Sequence, residues 1–122
     1  MKKIAVLGLG KVGSLAAQLL QDSGFDVQGY DLRMPLSPGS YPVAILDTSS
    51  QGDLGVAFSK VDAVLSCLPY HLNIGVANAA HNAGIHYFDL TEDVPTTNHI
   101  RELAKSSKGL MAPQCGLAPG FV

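Results

Sequence analysis

The chain has 122 residues, the length of one compact domain, and 47% of them are apolar against 15% charged, which excludes a disordered protein. The net charge of −2, with no basic patch, argues against a nucleic-acid partner. The apolar run at residues 4–7 is far shorter than the roughly 20 residues of a membrane-spanning helix, so we expect no membrane role. Two cysteines without an export signal indicate a reducing, cytoplasmic location.

Strand and helix patterns alternate from the start of the chain. Residues 3–7, which contain the continuous apolar run 4–7, are typical of a strand that is buried on both faces. The next apolar residues have the spacing of an amphipathic helix: Val12, Leu15, Ala16, Leu19 and Leu20. The pattern then predicts a strand over 26–31, a loop over 33–42 and a strand over 43–46. A short helix through Phe58 follows, with Ser49 or Ser50 as its cap.

The second half of the chain continues the alternation. It predicts a strand over 62–68, an alanine-rich helix over 71–83 and a strand over 86–90. Pro95 suits the first turn of a helix that runs to about residue 107, and residues 110–112 form a sixth strand. Six strands joined mostly by helical crossovers predict an α/β fold, a doubly wound parallel six-stranded sheet in the order 3-2-1-4-5-6.

The turn after the first strand has the pattern G-x-G-x-x-G at residues 8–13. It follows a predicted strand, opens a predicted helix and is trailed by an acidic residue after the next strand, which is the context of a dinucleotide-binding fingerprint. The glycines allow a tight turn, a close pyrophosphate and close helix packing, and the first helical turn offers N–H groups to the phosphates. We therefore predict that these residues bind the cofactor: Gly8, Gly10, Lys11, Val12 and Gly13.

Asp31 ends the second predicted strand, 18 residues after Gly13. A carboxylate there accepts both adenosine ribose hydroxyls and repels a 2′-phosphate, so we predict NAD as the cofactor. Arg33 leaves NADP open, because a guanidinium close by can pair with that phosphate or stack on adenine, and Leu32 lies between the two. Asp47 ends the third strand and either accepts from the adenine amino group or simply caps the next helix.

The carboxyl ends of strands four, five and six are where this fold places its ligand, at residues 66–71, 89–93 and 113–120. Because strand five separates strands four and six, Cys67 and Cys115 are expected roughly 10 Å apart, too far for a disulfide. The four histidines lack metal-ligand spacing, so no metal is predicted. His71 alone lies at the predicted site edge, where it could act as an acid or base.

Four motifs carry a resemblance to a known family: G-x-G-x-x-G at 8–13, C-L-P at 67–69, Y-F-D-L-T at 87–91 and C-G-L-A-P-G at 115–120. Together they resemble the saccharopine dehydrogenase family, which includes saccharopine reductases and lysine 6-dehydrogenases. The resemblance implies NAD(P)-dependent oxidation or reduction at an amine-bearing carbon of an amino acid substrate. It also implies a nicotinamide near Leu68 and Pro69, with Tyr70 and Cys115 near the reacting carbon as candidate catalytic residues.

Enzymes of that family are longer than this chain. The resemblance therefore implies that residues 1–122 are the dinucleotide-binding domain, that a C-terminal substrate and dimerisation domain is absent from this chain, and that the full-length protein is a homodimer. We expect the chain to bind cofactor without turnover, and an apolar docking patch to include Leu117, Phe121 and Val122. In a second interpretation, residues 7–13 also resemble RCK domains, which sense nucleotides without catalysis. Residues 115–120 favour the enzyme.

Overall fold

The structure, a computed structural model, describes residues 3–33, 39–90, 94–106, 109 and 111–112. Its six strands are β1 (Lys3–Leu7), β2 (Asp26–Asp31), β3 (Val43–Ile45), β4 (Ala63–Ser66), β5 (His86–Asp89) and β6 (Met111–Ala112). They form one sheet in the order β3-β2-β1-β4-β5-β6, and every pair of neighbours is parallel. The predicted strand order is confirmed.

The described residues include four helices: α1 (Lys11–Asp22), α2 (Gln51–Phe58), α3 (Tyr70–Ala83) and α4 (Val94–Ala104). The predicted caps explain several of their ends. The Ser50 hydroxyl accepts from the Asp53 backbone N–H at the start of α2, and Gly84 ends α3 with a φ of +72°. Pro95 lies in the first turn of α4, as predicted, although the helix ends at Ala104, before residue 107. Within the part of the chain described, no helix is long and apolar enough to cross a membrane.

The two faces of the sheet are covered unequally. Side chains that alternate along β1 show this, because successive residues of a strand point to opposite faces. Ala5 and Leu7 belong to a core cluster with buried residues of α2, α3 and α4. Ile4 and Val6 belong to a second cluster, to which α1 contributes Ala17. Three described helices therefore cover one face of the sheet, and α1 covers the other.

The apolar stripe predicted for α1 is not its buried side. Val12, Leu15 and Leu19 are 58–62% exposed, whereas Gly13 and Ala17 are buried. The reason is the close approach of α1 to the sheet: a Cβ added to Gly13 would overlap the backbone carbonyl oxygen of the preceding turn. Only glycine fits at position 13 at this distance, and of the predicted stripe Leu20, further along the helix, packs half-buried against the second core cluster.

Candidate functional site

The turn between β1 and α1 is held by three hydrogen bonds. The Gly8 N–H donates to the Tyr30 carbonyl (2.9 Å), and the Leu9 N–H donates to Oδ2 of Asp31 (2.7 Å). The Ser14 hydroxyl donates to the Leu9 carbonyl (2.8 Å) from the first turn of α1. Gly8 has a φ of +85°, which favours glycine. These bonds join the glycine turn to the carboxyl end of β2 and fix its shape without any ligand.

The start of α1 is open to an anion. Gly10 is its N-cap, and no side chain among the described residues caps it. The first intrahelical bond runs from the Ser14 N–H to the Gly10 carbonyl, so the N–H groups of Lys11, Val12 and Gly13 have no acceptor within the helix. A Cβ added to Gly10 would meet no atom within 4 Å. The residues therefore fit a dinucleotide pyrophosphate, because free N–H groups and open space coincide at the positive end of a helix dipole.

Asp31 lies beside this helix start, and its carboxylate is held in one orientation. Oδ2 accepts from the Leu9 N–H and Oδ1 accepts from the Leu32 N–H, each at 2.7 Å. Each oxygen keeps a further lone pair for a ligand hydroxyl. Leu32 and Arg33 are exposed next to it. The structure thus adds a second role for Asp31, because it also positions the glycine turn.

Asp47 lies fully exposed in the turn after β3. Its Oδ1 accepts from the Ser49 hydroxyl (2.6 Å) and from the Ser49 N–H (3.0 Å). These two bonds, that of the hydroxyl first, lower the pKa of the Asp47 carboxyl. Since Ser50 is the N-cap of α2, the alternative in which Asp47 caps that helix is wrong, and Asp47 instead orders the turn before it. Its predicted contact with adenine stays a prediction.

The turn between β4 and α3 lies against the glycine turn. The Cys67 N–H donates to the Leu7 carbonyl at the end of β1 (2.8 Å). A Cβ added to Gly8 would approach the Cys67 carbonyl oxygen and Cδ2 of Leu68 to 3.0 Å each. Leu68 is half-buried, and Pro69 is exposed as the N-cap of α3. The structure therefore brings the two predicted halves of the cofactor site into contact.

Burial raises the pKa of the Cys67 thiol to about 11. At neutral pH this group is a protonated, weakly nucleophilic side chain that packs behind the glycine turn.

Several predicted site residues lie outside what the structure describes. They are the side chain of Tyr70, all of Cys115, and the patch expected at Leu117, Phe121 and Val122. His71 is exposed in the first turn of α3. Among the described residues there is no cluster of three or more potential metal ligands.

Two buried polar pairs at the carboxyl ends of β4 and β5 were not predicted from the sequence. The Ser66 hydroxyl donates to Oδ1 of Asn73, and the Tyr87 hydroxyl donates to Oδ2 of Asp89, both at 2.5 Å. All four side chains are at most 1% exposed. The available signal was a polar residue at the end of each of two strands, together with an asparagine in an alanine-rich helix.

A second concavity lies away from the glycine turn, between α2 and the strands β2 and β3. It has a volume of about 510 Å³, and its lining includes Tyr30, Ile45, Val56 and Lys60. Partial burial raises the pKa of the Tyr30 hydroxyl. This groove contains none of the predicted cofactor residues, so it is a competing location for any ligand.

Comparison with protein families gives a match to the saccharopine dehydrogenase NADP binding domain over residues 37–112, which is more than half of the chain. No curated protein sequence matches. Among solved structures, the apo saccharopine dehydrogenase (L-Glu forming) from Saccharomyces cerevisiae is 20% identical with a TM-score of 0.76, covering 98% of this chain and 28% of that one.

Two other folds are similar. A partial consensus L-threonine 3-dehydrogenase is 14% identical (TM-score 0.76, 91% of this chain and 52% of that one). A short-chain dehydrogenase/reductase superfamily protein from Agrobacterium tumefaciens with bound NAD is 19% identical (TM-score 0.68, 88% and 46%). The chain spans 28–52% of the lengths of these three proteins. At such identities the solved structures support only the fold, whereas the family match over residues 37–112 also shows the family of the chain.

Proposed function

The chain belongs to the saccharopine dehydrogenase NADP-binding domain family, and on that premise we propose that it is the cofactor-binding unit of an oxidoreductase acting at an amine-bearing carbon of an amino acid. NAD(P) is the cofactor of this domain, and it supplies the hydride donor or acceptor when bound. The amino acid substrate is supported by the motifs at 67–69, 87–91 and 115–120, which resemble that family.

The observation that carries the proposal is the start of α1, where open space above Gly10 meets unpaired N–H groups. Lys11, Val12 and Gly13 offer those N–H groups to the pyrophosphate, and the helix dipole favours its negative charge. Gly8 supports this arrangement, because its conformation sets the turn that aims the helix at the ligand.

At the adenosine end, we propose that Asp31 selects NAD over NADP. Its carboxylate is already fixed by the Leu9 and Leu32 N–H groups, so it accepts the ribose hydroxyls without losing side-chain freedom. A 2′-phosphate there meets a negative charge, although the adjacent Arg33 offers it a cation. Asp47 is proposed as the acceptor for the adenine amino group.

At the reacting end, we propose that Leu68 and Pro69 contact the nicotinamide, with Tyr70 and Cys115 near the reacting carbon. The support is the contact between the β4–α3 turn and the glycine turn. Because the two turns touch, a dinucleotide whose pyrophosphate lies on the glycine turn can extend to the β4–α3 turn. The role of these residues is to orient the nicotinamide and to exclude water from one of its faces.

Calorimetric titration of the chain with NAD and with NADP tests the proposal. Asp31→Asn removes the charge but keeps one acceptor oxygen, and we expect it to weaken NAD roughly 10- to 150-fold, the loss of one charge-assisted hydrogen bond, and to spare or improve NADP. Asp26→Asn is the matched control, since it removes an exposed carboxylate at the opposite end of the same strand, β2, and leaves the glycine turn intact. Failure to bind either dinucleotide would refute the proposal, and tighter binding of NADP by the wild type would assign the choice to Arg33.

A further inference from the structure

The buried pair of Ser66 and Asn73 lies where polar groups are unexpected. Ser66 is the last residue of β4, Asn73 is the fourth residue of α3, and each is 1% exposed. The Ser66 hydroxyl donates to Oδ1 of Asn73 at 2.5 Å. Burying two polar side chains is unfavourable unless they are hydrogen-bonded to each other, and aliphatic residues of similar size would pack there without that requirement. Both groups are sealed from solvent, so they do not contact a ligand.

The structural role of this bond can be inferred from the segment between its two partners. Residues 67–72 lie between its two ends, and they include Leu68 and Pro69. At the near end, the Cys67 N–H donates to the Leu7 carbonyl (2.8 Å), and within the segment the Leu72 N–H donates to the Pro69 carbonyl (3.0 Å). The Ser66–Asn73 bond therefore ties the first turn of α3 back to the end of β4 and fixes the distance between them.

The start of α3 needs such a tie, because its cap does not supply one. Pro69 is the N-cap, and its side chain makes no capping hydrogen bond to the N–H groups of the first turn. Most helices are anchored at this point by a Ser, Thr, Asp or Asn cap. Here the anchor is one turn inside the helix, at Asn73, and its partner is in the preceding strand.

We propose that Ser66 and Asn73 are positioning residues that hold the β4–α3 turn in place for the nicotinamide half of the cofactor. This inference rests on the proposed function. It assigns the two residues no contact with the ligand: they act through the β4–α3 turn, which contains Leu68 and Pro69 and in which Leu68 lies against the glycine turn. The adenosine and pyrophosphate half is fixed by other bonds, those of Gly8, Leu9 and Asp31.

The test compares two ligands that share one half. ADP-ribose carries the adenosine and pyrophosphate groups but no nicotinamide, and NAD carries all of them. In wild type we expect NAD to bind more tightly than ADP-ribose. In Ser66→Ala we expect NAD to weaken by up to about tenfold, because binding must then supply the free energy with which this hydrogen bond orders the turn, and ADP-ribose to stay within about twofold. Isothermal titration of both ligands on the full chain gives the two affinities.

Companion variants separate positioning from a general loss of stability. Tyr87→Phe removes another buried hydroxyl bond at the same sheet edge, outside the β4–α3 turn, and should leave the ratio of NAD to ADP-ribose affinity unchanged. Asn73→Asp keeps the acceptor oxygen and should preserve the ratio. If Ser66→Ala does not fold, Ser66→Cys keeps the volume with a weaker donor and should lower NAD affinity alone.

Three results would overturn the inference while the proposed function stands. They are equal affinities of wild type for NAD and ADP-ribose, an equal loss of both in Ser66→Ala, or a changed ratio in Tyr87→Phe. If wild type binds neither ligand, the proposed function itself fails and this inference fails with it.

Discussion

The candidate site has two ends, the β1–α1 turn (the first end) and the β4–α3 turn (the second end), and they differ in structure and in proposed role. At the β1–α1 turn, the described residues leave open space beside Gly10 and N–H groups that have no acceptor within α1, and the Asp31 carboxylate accepts from the Leu9 N–H. At the β4–α3 turn, polar side chains are buried and bonded to each other, as in Ser66 and Asn73. The first end is therefore built to bind charge, and the second to keep a shape.

The largest expected effect is on folding stability, when a side chain is added where Gly13 packs against Gly8 at the first end. In Gly13→Ala the new Cβ overlaps the Gly8 carbonyl oxygen, which is backbone and cannot rotate away. We expect a loss of unfolding free energy of about 3 kcal/mol or more, at the upper end of overpacking effects, measured by urea denaturation. Gly55→Ala is the control: it meets no atom within 4 Å inside α2 and should be neutral or stabilising. Equal stability of the two variants would refute the packing argument.

A smaller effect on folding stability should appear as the pH rises, from the Cys67 thiol at the second end. The folded state raises the pKa of Cys67 from 9.0 to about 11, so the unfolded chain loses this proton first. The stabilising contribution is complete below pH 9 and is lost between pH 9 and 11, up to about 2.7 kcal/mol for two pKa units. Denaturation of wild type and Cys67→Ala across that range checks it, because the other titrating groups are common to both. Parallel pH profiles would show that the thiol ionises normally.

The smallest expected effect on stability is that of Gly10→Ala at the first end, which should weaken NAD binding while the protein stays folded. A methyl group in Gly10→Ala enters open space, so stability should change by only about 1 kcal/mol, the difference between glycine as an N-cap and the poorer N-cap alanine. The same methyl group occupies the position proposed for the pyrophosphate, and we expect NAD to bind about tenfold more weakly, a loss of about 1.4 kcal/mol in calorimetry. Unchanged NAD affinity in a folded variant would move the pyrophosphate elsewhere.

Strand order and the glycine turn could be predicted from sequence because both depend on local patterns: alternating strands and helices, and a spaced set of glycines. The buried side of α1 could not. Its large residues, such as Leu15, have helical spacing, yet the small Gly13 and Ala17 face the sheet, because the distance between helix and strand is set by tertiary contacts. The Ser66–Asn73 bond was equally hidden, since it joins a strand end to a helix interior.

The second role of Asp31 depends on a contact across 22 residues, from its carboxylate to the Leu9 N–H. Sequence spacing identified the residue as a ribose acceptor, because the fingerprint places an acidic group near that position. It could not reveal that the same carboxylate positions the glycine turn. A variant at Asp31 therefore tests recognition and turn geometry together, and Asp31→Asn, which retains an oxygen, separates them better than alanine.

The most direct test of the central claim is a map of backbone amide chemical shifts during titration of the 122-residue chain with NAD. The account predicts that the largest changes fall on the amides of Leu9, Lys11, Val12 and Gly13, followed by Leu32. Changes confined to the groove beside α2, at Val56 and Lys60, or no saturable changes at all, would contradict it.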